Sequence, residues 1–224
     1  MIFKVLWEPA TILFFKKGKY SMLIKLLPHA EKKLLLNLCK LLALSDNTLL
    51  WDGKTIDEVT SNTDFNSLSI KQDEQEEELI WDLIRSSALI DISSSTGIMT
   101  RDSGDDGRFV RNFSNKIEIR LIKILKEFPI HKVNMTENRI SAVNGLMGEL
   151  LEGVVFKKPE IPKIMLYELI LVALKDGSIS EVEMAFLKEF QQRCEIEEFI
   201  FDDILERAQA LNLEMTKTLA IIYE

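Results

Sequence analysis

Apolar positions recur every three to four residues along most of this chain, the period of an amphipathic helix. Glu31 to Leu44 carries Leu34, Leu35, Leu38, Leu41 and Leu42 at that spacing, and Ser45-Asp46-Asn47 stops it. Gln72 to Ser86 carries Leu79, Ile80, Leu83 and Ile84 behind Asp73, Glu74, Glu76, Glu77 and Glu78, acids that suit the positive end of a helix. Lys116 to Phe128 sets Ile117, Leu121, Ile124, Leu125 and Phe128 on one side and ends at Pro129. Thr136 to Val155 stripes Ile140, Val143, Met147, Leu150, Leu151 and Val154. Ile164 to Leu174 is apolar nearly all round, with Glu168 the chief exception, so it predicts a central helix. Ser180 to Cys194 stripes Val182, Phe186, Leu187 and Phe190. Glu195 to Leu211 stripes Ile196, Phe199, Ile200, Ile204 and Ala208, and Met215 to Ile222 reads as a separate last helix. The helices of 164–208 are expected to pack around Phe186, Phe190, Phe199 and Ile200.

Two stretches break the pattern. Thr55 to Thr60 reads as a short helix after the Asp52-Gly53 turn, with Thr55 and Glu58 in capping-box register. Between Ile92 and Asn115 the chain turns to Gly, Ser and Asp. There Gly97 to Thr100 and Arg108 to Phe113 flank Ser103-Gly104-Asp105-Asp106-Gly107, a hairpin pattern, with a flexible linker as the competing reading. The expected fold is mainly α: a two-lobed helical bundle with a small β-hairpin near 97–113. Residues 1–90 would form an N-terminal helical lobe, 91–115 the hairpin or linker, and 116–224 a second helical bundle.

Composition then narrows the function. The chain has 224 residues, 46% apolar and 29% charged, which excludes a disordered chain, a collagen-like fibre and a disulfide scaffold. The net charge of −8 argues against nucleic acid as a partner of this chain alone. The charge is split: residues 1–40 hold eight lysines against Glu8 and Glu31. Apolar residues are interleaved with those lysines, from Ile2 and Phe3 through Trp7 to Phe14 and Phe15. Such an arm fits the protein's own acidic face or an acidic protein partner, with an anionic membrane as a third reading. Lys16, Lys17, Lys19 and Trp7 are its candidate interaction residues. No run approaches the ~18 apolar residues of a membrane span, and Thr11 to Phe15 is too short for a signal-peptide core, so a cytoplasmic protein is expected. Cys39 and Cys194 sit in helical patterns as buried free thiols. His29 and His131 stand outside any ligand-like cluster and read as surface or loop histidines. No Ser, His and Asp set marks a nucleophile, and Gly104 and Gly107 lead into no phosphate-binding Lys-Ser or Lys-Thr pair. A non-enzymatic protein without a resident cofactor is expected; a helical enzyme with a scattered site is the third class.

The sharpest local signal is Leu174-Lys175-Asp176-Gly177-Ser178-Ile179-Ser180-Glu181-Val182-Glu183. A buried helix ends, an Asp-Gly turn follows, and Ser180 with Glu183 begins a new helix as a capping box. The stretch also matches the second half of a calcium-binding EF-hand loop, but Val172 and Leu174 stand where oxygen ligands belong. Capping alone accounts for it; the alternative is a weak Ca2+ or Mg2+ site through Asp176 and Glu183. This pattern of apolar helix, Asp-Gly-x-Ile, Glu four residues on, then aromatic-apolar helix resembles the TerB-like (tellurite-resistance B) helical domain, over roughly 116–224. The resemblance implies a bacterial cytoplasmic protein of stress and phage-defence gene sets, and a scaffold or sensor rather than an enzyme. It also implies that Asp176 and Glu183 belong to an acidic, cation-taking surface. The leading expectation is an adaptor or assembly subunit acting through protein contacts, and the alternative is a divalent-cation-responsive module.

The first half loosely parallels the second: Leu35 to Leu49 aligns with Met165 to Ile179, and Asp46 stands where Asp176 stands, with chance likeness of Leu-rich helices as the competing account. The order of elements in the first half is also loosely that of a winged helix. Its third helix opens on acids that phosphates would repel, so that shape too points to a protein partner.

Overall fold

The computed structural model describes residues 23–87 and 116–223. The hairpin expected near 97–113, and the arm residues Trp7, Lys16, Lys17 and Lys19, lie outside the described residues. Seven helices and one two-stranded sheet are present among the described residues, so the fold is mainly α. A short 3-10 turn, Leu23–Leu26, leads into α1, His29–Ala43. Strands β1, Leu49–Trp51, and β2, Leu68–Ile70, follow and pair antiparallel with Leu50 opposite Ser69. The 3-10 turn Ile56–Glu58 lies between them and carries the capping box read from Thr55 and Glu58. The remaining helices are α2, Glu74–Ser87, α3, 116–125, and α4, Thr136–Leu151, then α5, Glu160–Ala173, α6, Glu181–Arg193, and α7, Glu198–Tyr223.

The apolar stripe of each helix decides its neighbours. Helix α5 has buried residues on every side, among them Met165, Leu166, Leu169, Ile170 and Val172, and the other elements gather around it. Helix α1 makes the broadest contact with α5; α6, α7 and the Leu23–Leu26 turn add their own. Helix α1 also carries α2 and α4, and α4 packs against α6. One continuous core results, running from Ile24 through α1 and α5 to Ala208. Trp51 is buried in it and Trp81 packs at its margin. Cys39 is buried and Cys194 half-buried, both as free thiols, and the two histidines are exposed.

Three boundaries differ from the periodicity reading, each for a local reason. Helix α4 stops at Leu151 because Gly153 takes the left-handed backbone (φ +70°). Val154 and Val155 are therefore exposed rather than part of the stripe. Helix α7 is continuous through 211–215, where two helices were expected. No Gly or Pro interrupts it, and the Thr216 and Thr218 hydroxyls find acceptors inside it, donating to the Asn212 and Glu214 carbonyls one turn earlier. The third difference is one position of the last stripe. Glu195 has φ +53° and α7 starts only at Glu198, so Ile196 belongs to the preceding turn and is buried there. Ile196 and Ala208 are buried and Ile200 and Ile204 pack on the core as expected, but Phe199 is 62% exposed, and Phe201, at 1%, takes its core place.

Phe186 and Phe190 are fully buried as expected. Phe186→Ala should cost about 3–5 kcal/mol in urea unfolding, the loss of a buried ring plus the cavity it leaves. Phe199→Ala should cost under about 0.5 kcal/mol, the range of a surface change. Equal losses would mean that the phase of α7 is wrongly placed.

Candidate functional site

The expected chemistry sits where α5 hands over to α6. Helix α5 tightens into the 3-10 turn Leu174–Asp176, and Gly177 reverses the chain at φ +89°, a backbone that a side chain would strain. Ser180 then caps α6. Its Oγ accepts the Glu183 backbone N–H at 3.3 Å, and Glu183 Oε2 accepts the Ser180 N–H at 2.8 Å. Glu183 is thus drawn in and buried, while the Asp176 carboxylate is 62% exposed and lies 3.9 Å from Lys175 Nζ. Burial pushes the Glu183 carboxyl up to about 7, against the pull of the Ser180 N–H; Asp46 raises it further and Lys175 opposes. The two predicted carboxylates therefore serve different ends, one closing a helix start and one facing solvent. No group of three or more His, Cys, Asp or Glu side chains is arranged around a common metal position among the described residues.

The field of Asp46 at Glu183 ties the two halves of the chain together, because Asp46 follows α1 as Asp176 follows α5. The two helix ends are finished alike. At α1, the buried Arg139 of α4 donates from Nε to the Ser45 carbonyl at 2.9 Å, and from Nη2 to Leu44 at 3.2 Å and Asn47 at 2.8 Å. At α5, the buried Asn212 of α7 donates to the Leu174 carbonyl at 3.2 Å. Each buried helix C-terminus leaves carbonyls without intrahelical partners, and a side chain from a distant helix satisfies them. Burial lowers the Arg139 pKa to about 10, opposed by Asp46. A cavity of about 460 Å³ opens beside this cap, lined by Asp46, Thr48, Thr55, Asn134, Arg139 and Val182 among others. Arg139 spends its bonds on the helix end, and its Nη1 is enclosed by protein without a partner.

The second buried acid is Glu168, 1% exposed, in the middle of α5. Its Oε1 accepts the backbone N–H of Leu23 at 3.1 Å and of Ile24 at 2.9 Å. Burial pushes it up to about 7, and the two N–H groups pull the other way. Cys39 on α1 and the adjacent Tyr167 feel its charge, and the Cys39 thiol is raised chiefly by its own burial. Sequence marks Glu168 as the chief exception in the apolar run Ile164 to Leu174 but does not disclose its partners. Arg139 and Asn212 carry no signal in their own segments, because the carbonyls they serve lie 92–95 and 38 positions away.

The chain matches no protein-family model, no curated protein and no solved structure.

Two measurements check this arrangement. Arg139→Met removes three bonds and strands three carbonyls at a buried helix end, so urea unfolding should register a loss of about 3 kcal/mol or more; a change below about 1 kcal/mol would show that the cap is idle. The second concerns pH. Glu168 ionises less readily in the folded protein than in the unfolded chain. The folded protein therefore holds a proton between about 4.5 and about 7 that the unfolded chain has released. Its stabilising contribution is full below that window and is lost as pH rises through it, and Glu183 acts with the same sign. Glu168→Gln keeps an acceptor for Leu23 and Ile24 and removes the titration. The difference in stability between pH 5 and pH 8 should shift relative to wild type by the loss of that fall. An identical pH profile in both proteins would contradict it.

Proposed function

We propose that the protein is a non-catalytic adaptor or assembly subunit of the TerB-like kind, working by protein contacts in the cytoplasm of a bacterium, in a stress or phage-defence assembly. The observation that carries the reading is the outward face of α7. Phe199 is 62% exposed, Leu213 54% and Ile221 73% on one long helix whose opposite side closes the core with Phe201 and Ala208. Each large apolar group left in water is costly, and these three recur on one side of the helix, where a single partner could cover them. The Asp176–Glu183 joint supports the TerB-like part of the reading, as the stretch that carries the resemblance. The test is Phe199→Asp with Leu213→Asp and Ile221→Asp in the full chain at native expression. Loss of a stoichiometric partner with an unchanged melting temperature is expected, and retention of every partner would overturn the reading.

A divalent-cation-responsive module is the second reading, favoured by the electrostatic approach of Asp46 to Glu183. Asp176, Glu183 and Asp46 fall short of the roughly six to eight oxygens calcium takes, so calorimetry with Ca2+ and Mg2+ should give at most millimolar affinity on this reading, and no heat at all would leave the adaptor alone. Submicromolar binding abolished by Asp176→Asn would put the cation module first.

A further inference from the structure

Helix α7 presents its outward stripe in a particular order. Phe199, Asp203, Glu206, Ala210 and Leu213 follow one another at helical spacing, and all are exposed. From Phe199 to Leu213 the stripe is therefore apolar at both ends and acidic between; the next position on it, Lys217, pairs with Glu214 of the same helix. Neighbouring Asp202 already faces Lys188, which also pairs with Glu198. Asp203 and Glu206 make no ion pair among the described residues. The matching surface is one that alternates apolar and basic groups, and the chain itself contains such a segment. Residues 1–22 hold Lys4, Lys16, Lys17 and Lys19 against Glu8 alone, interleaved with Phe3, Trp7, Phe14 and Phe15.

Position permits the match. The described chain begins at Leu23, whose backbone N–H is held by Glu168 of α5, and α7 packs directly on α5. Twenty-two residues reach up to about 70 Å, several times the ~10–12 Å thickness of one helix. We propose that residues 1–22 of the same chain occupy the outer stripe of α7, their lysines against Asp203 and Glu206 and their apolar side chains over Phe199 and Leu213. This rests on reading that stripe as a docking surface, and it names the occupant in the free protein: a segment that any partner for α7 has to displace.

The experiment uses the purified full-length chain with the photo-crosslinker p-benzoylphenylalanine in place of Phe199. Irradiation should join position 199 to a peptide from residues 1–22 of the same chain, at the mobility of a monomer. Asp203→Lys with Glu206→Lys turns two attractions into repulsions, and the cross-link yield should fall about fivefold. Both positions are exposed, so the double variant should melt as the parent does. The parent in about 1 M salt, where charges are screened beyond ~3 Å, gives an independent second reading and should lose yield in the same direction. Cross-links only to other parts of the chain, a dimer-sized product, or a yield indifferent to both the charge reversal and salt would each overturn the proposal. The cross-link is read on the isolated protein, so its failure leaves the adaptor reading to its own co-purification test.

Discussion

Helix α5 has no side it can show to water, and the rest of the molecule is arranged to meet that constraint. An apolar surface on every face of one helix needs neighbours on every face. Helix α1 supplies the largest contact, α6 and α7 two more, and the Leu23–Leu26 turn another. This enclosure is what makes Glu168 unusual. A carboxylate with 1% exposure loses the solvation of its charge, and two backbone N–H groups from the start of the described chain only partly restore it. The same bonds fix where the chain enters the bundle. The central helix is thereby pinned by a polar contact in a packing that is otherwise non-directional.

Burying helices whole also buries their ends, and ends are polar. The C-termini of α1 and α5 are satisfied from outside their own neighbourhood in sequence, by Arg139 and by Asn212. That choice couples distant parts of the chain: α4 cannot leave without orphaning the end of α1, nor α7 without orphaning the end of α5. At the start of α6 the solution is local instead, since Ser180 and Glu183 close their own turn. Local caps demand a sequence signature at fixed spacing. Long-range caps demand only a donor that packing delivers.

This difference explains what could be read from the sequence. The mainly α architecture, the centrality of α5 and the capping boxes at Thr55 and Ser180 follow from periods and spacings a few residues long. The strands Leu49–Trp51 and Leu68–Ile70 are three residues each, too short for alternation to declare itself, and they pair across a gap occupied by a 3-10 turn. In α7 Ile200, Ile204 and Ala208 face the core as the period predicts, whereas Phe199, beside the helix start at Glu198 that follows the left-handed Glu195, is turned outward. At the candidate site, Asp176 and Glu183 were legible as residue types in a turn. Their separate environments, one exposed and one buried, were not, because burial is decided by neighbours such as Asp46 from the other half.

The outward place of Phe199 bears on the whole far side of α7. Closing the core does not account for Phe199, Leu213 and Ile221, which stand on the far side of α7. Its inward face is already complete with Phe201, Ala208, Asn212 and Leu219. Asp203 and Glu206 stand between Phe199 and Leu213, and Lys217 between Leu213 and Ile221, so the face is neither uniformly greasy nor uniformly charged. A purely apolar stripe would accept many helices indiscriminately, whereas interposed carboxylates penalise any partner that cannot bring cations to them. The outer side of α7 thus alternates apolar and charged groups, where the inner one is apolar apart from Asn212.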